Sequence, residues 1–418
     1  MRIESRWALA VLAIACLAGL NSCATAKNPA SSTTASMWVA TAGDQMVRSY
    51  SINLTSGAVS QVGNAVVTGV QPQAMAITPD GKTLFIANSG DSSISGYSIN
   101  SDGTLSAQGA TPSSGQLPVA LAIDPSGKFL FVANQGVITD NTSGTVSVFA
   151  IGSGSLTSQG SFPTELPSDT TGTGPSSLVV SPVTFPCSVL ISGTLTNEAC
   201  SVIYVANQFT NTVGAYEYYV DGSGNFNFVP GAIGGSPYPA GASPSGVALS
   251  RCAGVTTATA VCATADGNNL FVSNAGSNEI SIFSACIQTS TTCATPDGIL
   301  TPLSSGSPVA ACCGPTTFMV DPAADFVYVL EHGSAQVGQF RYSPVTGALT
   351  PLSPASASTG AAPFSGGISA NTSNSNWVFV TNTGASSISG FNVVSGKLIG
   401  LSSGPILVPG QPTAILVR

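Results

Sequence analysis

The sequence predicts an all-β protein: a seven-bladed β-propeller closed by the C-terminal strand, which completes the N-terminal blade. Three observations predict this fold: a composition suited to strands and turns, a phrase that recurs seven times, and two chain ends that are complementary parts of one repeat. The 418 residues include 46 Gly and 27 Pro, while charged residues make up only 7%. Long solvated helices need many Glu and Lys residues, so strands joined by turns are favoured.

The N-terminal residues have the pattern of an export signal. Arg2 and Arg6 precede an apolar run from Trp7 to Leu20, which is too short to span a bilayer. The run ends in the tetrapeptide LNSC, which resembles the bacterial lipobox, in which the cysteine, here Cys23, receives lipid. An ordinary secretory signal followed by an incidental cysteine is the alternative.

This pattern sets the expected domain organisation. We expect a lipoprotein signal peptide at residues 1–22, a flexible tether at 23–36 and the propeller at 37–418. The expected location is the outer membrane, with the protein facing the periplasm or the cell surface. No later run is long and apolar enough for a transmembrane helix, so we expect membrane contact only through the lipid.

Ten cysteines fit export to an oxidising compartment. Setting aside one cysteine in the signal and Cys23 leaves eight, and their spacing favours pairing within short segments. The pairs favoured in this way are Cys187–Cys200, Cys252–Cys262, Cys286–Cys293 and the adjacent Cys312–Cys313. Pairing of Cys312 and Cys313 with other cysteines stays open. Because no CxxC motif occurs and His332 is the only histidine, we expect no metal and no cofactor.

Each copy of the recurring phrase predicts four short strands. In the copy that begins at Gln71, the apolar segment AMAIT meets a PDG turn and is followed by the apolar segment LFIAN. A polar loop then leads to the alternating segment ISGYSI, and an SDG turn leads to a weaker fourth strand. Four strands per unit is the pattern of a β-propeller blade. The aromatic residues that align the seven second strands are Trp38, Phe85, Phe131, Tyr204, Phe271, Tyr328 and Phe379.

The two chain ends complete one another. The first copy begins at Met37 inside its second strand, so it lacks a first strand. The C-terminal segment GQPTAILVR matches the first strand QPQAMAIT and has nothing after it. We therefore expect the C-terminal strand to join the N-terminal blade, which closes the ring and removes open sheet edges.

Second strands that read IYVAN and FVTN, a PDGK turn and third strands such as ISGYSI resemble the YVTN-repeat, lactonase-type propellers. That group includes 6-phosphogluconolactonase-like and muconate-cyclising members, and the resemblance covers residues 37–418. It implies a seven-bladed propeller and, as one activity, lactone hydrolysis by His, Arg and acidic groups in the central channel. Only His332 and Glu331 offer a match to such a set, and no Arg accompanies them.

The few charges are distributed unevenly between the two ends of the expected ring. We call the end at which second strands lead into third strands the top, and the other end the bottom. Lys82, Lys128 and Lys397 fall in bottom turns, whereas the top loops carry only acids. A phosphosugar site needs cations, so this distribution argues against a phosphorylated substrate. Ten Lys and Arg residues in the whole chain also exclude nucleic-acid binding.

The recurring candidate site residues are amides at the top. An asparagine ends the second strand in five copies, and we predict a ring of ligand-binding amides formed by Asn88, Asn134, Asn207, Asn274 and Asn382. The alternative is that these side chains bond nearby backbone and shape the loops, which their recurrence favours.

The sixth copy departs from the pattern. Glu331 replaces the asparagine, His332 follows it, and Cys312 and Cys313 lie in the loop that enters this blade. A Glu–His pair is suited to general-base catalysis, and a disulfide between adjacent cysteines gives a stiff, apolar platform for a ligand. The alternative is a surface histidine beside a braced turn.

Two functions follow from these observations. We expect an exported, lipid-anchored scaffold that binds a protein, a glycan or a small molecule at the top face, because no known catalytic motif occurs. The alternative is a lactone hydrolase of the 6-phosphogluconolactonase-like type, with Glu331 and His332 as its catalytic residues.

Overall fold

The structure is a computed structural model that describes residues 33–418 except for several internal segments. Those segments are 110–111, 137–143, 154, 165–173, 192–193, 230–232, 251–267, 290–292, 322–324 and 370–375. The described residues form strands and, as their one helical turn, the 3-10 helix Thr383–Ala385. None of them forms a helix long and apolar enough to cross a membrane.

Seven sheets form the blades, and each sheet is built around four antiparallel strands. Blade one combines the last strand of the chain with the first three strands. From the innermost strand outward, blade one has β32 (Pro412–Val417), β1 (Thr34–Thr41), β2 (Met46–Asn53) and β3 (Val59–Val67). Blade two has β4 (Pro72–Ile77), β5 (Thr83–Asn88), β6 (Ser93–Ile99) and β7 (Leu105–Ala107). Blade three has β8 (Pro118–Ile123), β9 (Phe129–Asn134), β10 (Thr145–Gly152) and β11 (Ser155–Pro163).

Blades four to seven follow in the same order, and three of them have additional short strands. Blade four has β12 (Pro175–Val180), β14 (Thr194–Asn207), β15 (Thr212–Val220) and β16 (Phe226–Phe228), with β13 (Phe185–Ile191) on β14 and β17 (Tyr238–Pro239) on β15. Blade five has β18 (Pro244–Leu249), β19 (Asn269–Asn274), β20 (Glu279–Ala285), β21 (Leu300–Pro302) and β22 (Val309–Ala310). Blade six has β23 (Pro315–Val320), β24 (Phe326–Glu331), β25 (Gln336–Tyr342) and β26 (Leu349–Ser358). Blade seven has β27 (Pro363–Ile368), β28 (Trp377–Asn382), β29 (Ser387–Val394), β30 (Lys397–Gly400) and β31 (Ile406–Leu407).

The predicted ring closure is confirmed. β32 pairs antiparallel with β1, so that Trp38 lies opposite Leu416 and Ala40 lies opposite Ala414. The innermost strands of neighbouring blades contact one another all the way round the circle, including β27 with β32 and β32 with β4. This circle of first strands encloses a central channel.

The second strands form the buried middle of the blades. Every residue of β9, β19 and β28 is buried, because these strands are apolar on both faces and pack between neighbouring blades. Several of the aligned aromatic residues also bond the next blade. Their polar atoms donate to carbonyls in the bottom turn of that blade: Trp38 to Gly103 at 2.9 Å, Tyr204 to Gly298 at 2.8 Å and Tyr328 to Gly396 at 2.9 Å.

Three of the four predicted disulfides are present: Cys187–Cys200, Cys286–Cys293 and Cys312–Cys313. The first braces the hairpin of β13 and β14 at the bottom of blade four. Cys252 and Cys262 lie outside the described residues, as do Cys23 and the predicted signal peptide at 1–22. Those assignments stay predictions.

Candidate functional site

The central channel is the candidate site. It is a cavity of about 560 Å³ lined by residues of the first strands of all seven blades. Among the described residues, its lining contains no Asp, Glu, Lys or Arg, and His332 is its only titratable side chain. A ligand in this channel therefore meets hydroxyl, amide, backbone and apolar side-chain groups, and the described lining offers it no Asp, Glu, Lys or Arg as an ion-pair partner.

One position in each blade determines what the top of the channel presents. It is the residue directly after the end of the second strand, and around the ring it reads Ala42, Ser89, Gln135, Gln208, Ala275, His332 and Thr383. The backbone N–H of each of these residues donates to a carbonyl of the loop that enters the same blade. Three of them, Gln135, Gln208 and His332, line the channel. These backbone hydrogen bonds fix the Cα positions of the three residues, and so the points from which their long polar side chains extend.

His332 lies at the top of the channel with one ring nitrogen engaged. Its Nδ1 is 3.0 Å from the carbonyl oxygen of Pro363, at the start of the neighbouring first strand. A carbonyl oxygen only accepts, so Nδ1 carries a proton in this contact, and in the neutral form of the ring the lone pair then lies on Nε2. The backbone N–H of His332 donates to the carbonyl of Gly314 at 3.1 Å. A neutral imidazole held in this way is suited to accept a proton from water.

Gln135 and Gln208 belong to adjacent blades and are bonded to each other. Nε2 of Gln135 donates to Oε1 of Gln208 at 3.0 Å, and both side chains are half-buried. Sequence reasoning missed this pair, because each residue reads as an ordinary loop glutamine. The available signal was that this position varies between blades while the asparagine before it recurs.

Most hydroxyl groups of the lining are already used to join blades. Ser176 donates to the carbonyl of Pro244 and Ser245 donates to that of Pro315, both at 2.7 Å. These bonds cross from one blade to the next, so they stabilise the ring. The glutamine pair and His332 therefore keep more hydrogen-bonding capacity for a ligand than the hydroxyls do.

The predicted ring of asparagines lies inside the blades. All five side chains are at most 1% exposed. Nδ2 of Asn88 donates to Ser93 at 3.0 Å and to Ser95 at 2.9 Å, and the other four bond third-strand hydroxyls in the same way. Ligand binding by these five amides stays a prediction, and their placement favours the alternative in which they shape the loops.

A glycine in the incoming loop packs against this asparagine in several blades. A Cβ atom built on Gly69, Gly115 or Gly360 would lie 2.6–2.8 Å from atoms of the asparagine amide of the same blade. Contacts this short essentially never occur for real Cβ atoms, so the buried asparagine requires a glycine at the facing position.

Blade six replaces both members of this pair. Cys312 takes the place of the glycine, and its backbone N–H donates to Oε1 of Glu331 at 3.1 Å. Ser334 donates to Oε2 of the same carboxyl group at 3.3 Å. Gly338 leaves room for the longer side chain, since a Cβ there would lie 2.8 Å from Oε1. Burial raises the pKa of Glu331, and the hydrogen bonds from Cys312 and Ser334 offset part of that shift.

The predicted Glu–His pair is divided between two environments. Glu331 is 4% exposed and points into the blade, whereas His332 is exposed and faces the channel. Successive residues at the end of a strand point to opposite sides, which accounts for this separation. The two side chains share no hydrogen bond, and of the two only His332 lines the channel.

The Cys312–Cys313 disulfide lies beside His332 on the top face. Both cysteines are exposed, and the carbonyl of Cys313 accepts a bond from the backbone N–H of Gly333 at 2.8 Å. The predicted apolar platform is therefore adjacent to the only titratable side chain among the described lining residues. Ligand binding by the platform stays a prediction.

Blade one contains an ion pair at the position equivalent to the asparagine cluster. Arg48, which is 8% exposed, bonds the carboxyl group of Asp44, and it donates to Thr41 Oγ1 at 2.8 Å. Burial raises the pKa of Asp44, but the hydrogen bonds from Arg48 and Thr41 outweigh it, and the net pKa is lowered. Arg48 is thus occupied at the top of blade one and does not line the channel.

The other cations among the described residues lie away from the channel. Lys82, Lys128 and Lys397 occupy bottom turns or strand ends, and Arg418 donates to the carbonyl of Gly81 in a bottom turn at 2.9 Å. The described residues contain no cluster of three or more His, Cys, Asp or Glu side chains able to hold a metal ion.

Comparisons with known proteins agree with the fold. The family model described as "Lactonase, 7-bladed beta-propeller" matches residues 31–168 and 170–357. No curated protein matches the chain. The structure is similar to a periplasmic gluconolactonase, PpgL, from Pseudomonas aeruginosa, with a TM-score of 0.68, 18% identity, and coverage of 92% of this chain and 99% of the other. It is also similar to a putative 6-phosphogluconolactonase from Bacteroides fragilis, with a TM-score of 0.66, 17% identity, and coverage of 93% and 99%.

Proposed function

This chain belongs to the lactonase family of seven-bladed β-propellers, and from that premise we propose that it hydrolyses an uncharged lactone in its central channel. The observation that carries the proposal is the placement of His332. It is the only titratable side chain among the described lining residues, and its Nδ1 contact with Pro363 leaves Nε2 able to accept a proton.

In the proposed reaction, Nε2 of His332 removes a proton from water as the water oxygen attacks the lactone carbonyl carbon. The ring carbon–oxygen bond then breaks, and the imidazolium returns its proton to the departing alkoxide. Water and lactone give one hydroxy acid, and the histidine is restored. We assign proton transfer to His332 alone, because Glu331 is buried in the blade.

The absence of Asp, Glu, Lys and Arg from the described channel lining supports a neutral substrate. A phosphorylated lactone would enter the channel without an Arg or Lys to bind its phosphate, since none lies among the described lining residues. One similar structure is named a gluconolactonase and another a putative 6-phosphogluconolactonase. Of these two substrate types, the unphosphorylated one fits the channel better.

The test is lactone hydrolysis by the protein purified from an exporting host. An uncharged aldonolactone and its 6-phosphate are compared, and acid release is measured above the spontaneous rate. We expect turnover of the uncharged lactone, a loss of about 100- to 10,000-fold in kcat/KM for His332→Ala, and little change for Ser89→Ala at the equivalent position of blade two. Turnover of neither lactone, or full activity of His332→Ala, would contradict the proposal.

A second candidate is a scaffold that binds a protein, a glycan or a small molecule at its top face. The exposed Cys312–Cys313 disulfide beside His332 supports it, as does the absence of carboxylates from the described channel lining. Binding of a glycan without turnover of any lactone would favour this scaffold over the hydrolase.

We also propose that the protein is exported and anchored by lipid on Cys23. The three disulfides support export, and the LNSC tetrapeptide supports the anchor. Labelling of cells with a fatty acid should mark the wild-type chain and leave Cys23→Ser unlabelled. A label that persists in that variant would refute the anchor.

A further inference from the structure

We propose that the Gln135–Gln208 pair is a binding subsite for two neighbouring hydroxyl groups of an uncharged sugar-type lactone. The inference rests on the proposed function and names its substrate class. It starts from the ring position after the second strand, where only blades three and four carry a side-chain amide.

The pair keeps unused hydrogen-bonding groups. One bond, from Nε2 of Gln135 to Oε1 of Gln208, uses one donor and one acceptor site. Oε1 of Gln135, its second N–H and both N–H groups of Gln208 have no partner among the described residues. If the oxygen and nitrogen atoms of both side-chain amides exchanged places, Gln208 would donate to Gln135 instead, and the same set of free groups would remain. The subsite therefore offers both donors and an acceptor in either case.

The two amides are held in place rather than left mobile. The backbone N–H of Gln135 donates to Leu117 and that of Gln208 donates to Gly174, both at 2.9 Å. Each side chain is half-buried, lines the channel and is bonded to the other. A rigid pair of this kind favours ligands whose polar groups match its spacing.

The chemistry of the pair fits a diol. A hydroxyl group both donates and accepts, so two adjacent hydroxyls can satisfy the free amide oxygen and the free N–H groups together. A carboxylate or phosphate would meet the same acceptor oxygen without a compensating cation in the described lining. An alkyl lactone would cover the amides and leave their groups unbonded, which disfavours it.

The test compares two lactones with the same ring: glucono-δ-lactone, which carries hydroxyl groups, and δ-valerolactone, which carries none. In the full chain with Gln135→Met and Gln208→Met, we expect kcat/KM for the hydroxylated lactone to fall at least tenfold while that for the alkyl lactone stays within twofold. Gln61→Met, at an exposed glutamine on the outer strand β3 of blade one and outside the channel lining, is the control and should change neither value. An equal fall for both lactones, or no fall for either, would overturn the inference.

A binding measurement separates this inference from the proposed hydrolysis. Saturation-transfer NMR with 1,5-anhydroglucitol, a cyclic polyol that cannot be hydrolysed, reports contact without turnover. Binding by the wild type that is lost in the double variant supports the subsite even if no lactone is hydrolysed. If the wild type does not bind the polyol, or if the double variant binds it equally well, the subsite is wrong whatever the hydrolysis assay shows.

Discussion

Blades one and six both lack the asparagine that ends the second strand elsewhere, but they replace it in opposite electrostatic ways. In blade one, Arg48 pairs with Asp44, and the pKa of that carboxyl group is lowered. In blade six, Glu331 is buried with neutral donors only, and its pKa is raised. The difference shows that loss of the repeated residue does not by itself mark a functional blade.

The two blades also differ at the next residue along the chain, which is the one that bears on the proposed function. Blade one has Ala42 there, and blade six has His332, which lines the channel. The buried networks beneath these residues hold the top loops in place. We therefore expect changes in the networks to alter stability, and changes at the following position to alter ligand chemistry.

The largest loss of stability is expected when the glycine that faces the buried asparagine is replaced by a residue with a Cβ, as blade six has at this position. In Gly115→Ala, the new Cβ would lie 2.7 Å from Cγ of Asn134, which is buried and bonded. We expect a loss of about 2–3 kcal/mol from overpacking, measured as a lower melting temperature. Gly109→Ala is the control, because a Cβ there meets no heavy atom within 4 Å.

The equivalent position of blade six sharpens this prediction. Cys312 already carries a Cβ, and the residue facing it is Glu331, whose carboxyl group packs against Gly338. The double variant Cys312→Ala, Cys313→Ala should therefore lower the melting temperature less than Gly115→Ala does. A larger loss in blade six would mean that the disulfide, and not the packing, stabilises that loop.

Removal of the cation from blade one is expected to have an intermediate effect. Arg48→Met leaves Asp44 partly buried without its partner, which should cost about 2 kcal/mol because the Asp44 side chain retains 33% exposure. The folded-state pKa of Asp44 lies below the ordinary value of 3.8, so its stabilisation is present above that pH and is lost as the pH falls further. Melting curves between pH 2.5 and 7 should show this acid-dependent loss in the wild type and a weaker one in Arg48→Met.

Much of the fold is predictable from the sequence because each blade repeats the same buried second strand and turns. The ring closure is predictable as well, since GQPTAILVR can fill only the place that the first copy leaves open. The candidate site is harder to predict from the sequence. Recurrence drew attention to residues such as Asn88, which is buried, and away from Gln135 and Gln208, which face the channel.

The division between Glu331 and His332 shows why sequence alone falls short at this point. The two residues are adjacent in the chain, yet one points into the blade and the other toward the channel. Deciding which residue faces which side requires the exact residue at which β24 ends. A shift of one residue would exchange their environments, and composition and spacing do not fix that register.

The smallest predicted effect is a gain in stability from Glu331→Gln. The amide keeps an oxygen for the Cys312 N–H and removes a carboxyl group that is only 4% exposed and has no cation beside it. Because burial raises the folded-state pKa above the ordinary value of 4.5, the wild type is most stable below that pH, and it loses stability as the pH rises through the folded-state value. We therefore expect a gain of about 1 kcal/mol at pH 7 that disappears near pH 4, measured by thermal melting at both pH values. A gain of equal size at both pH values would show that shape, and not charge, distinguishes blade six from blade one.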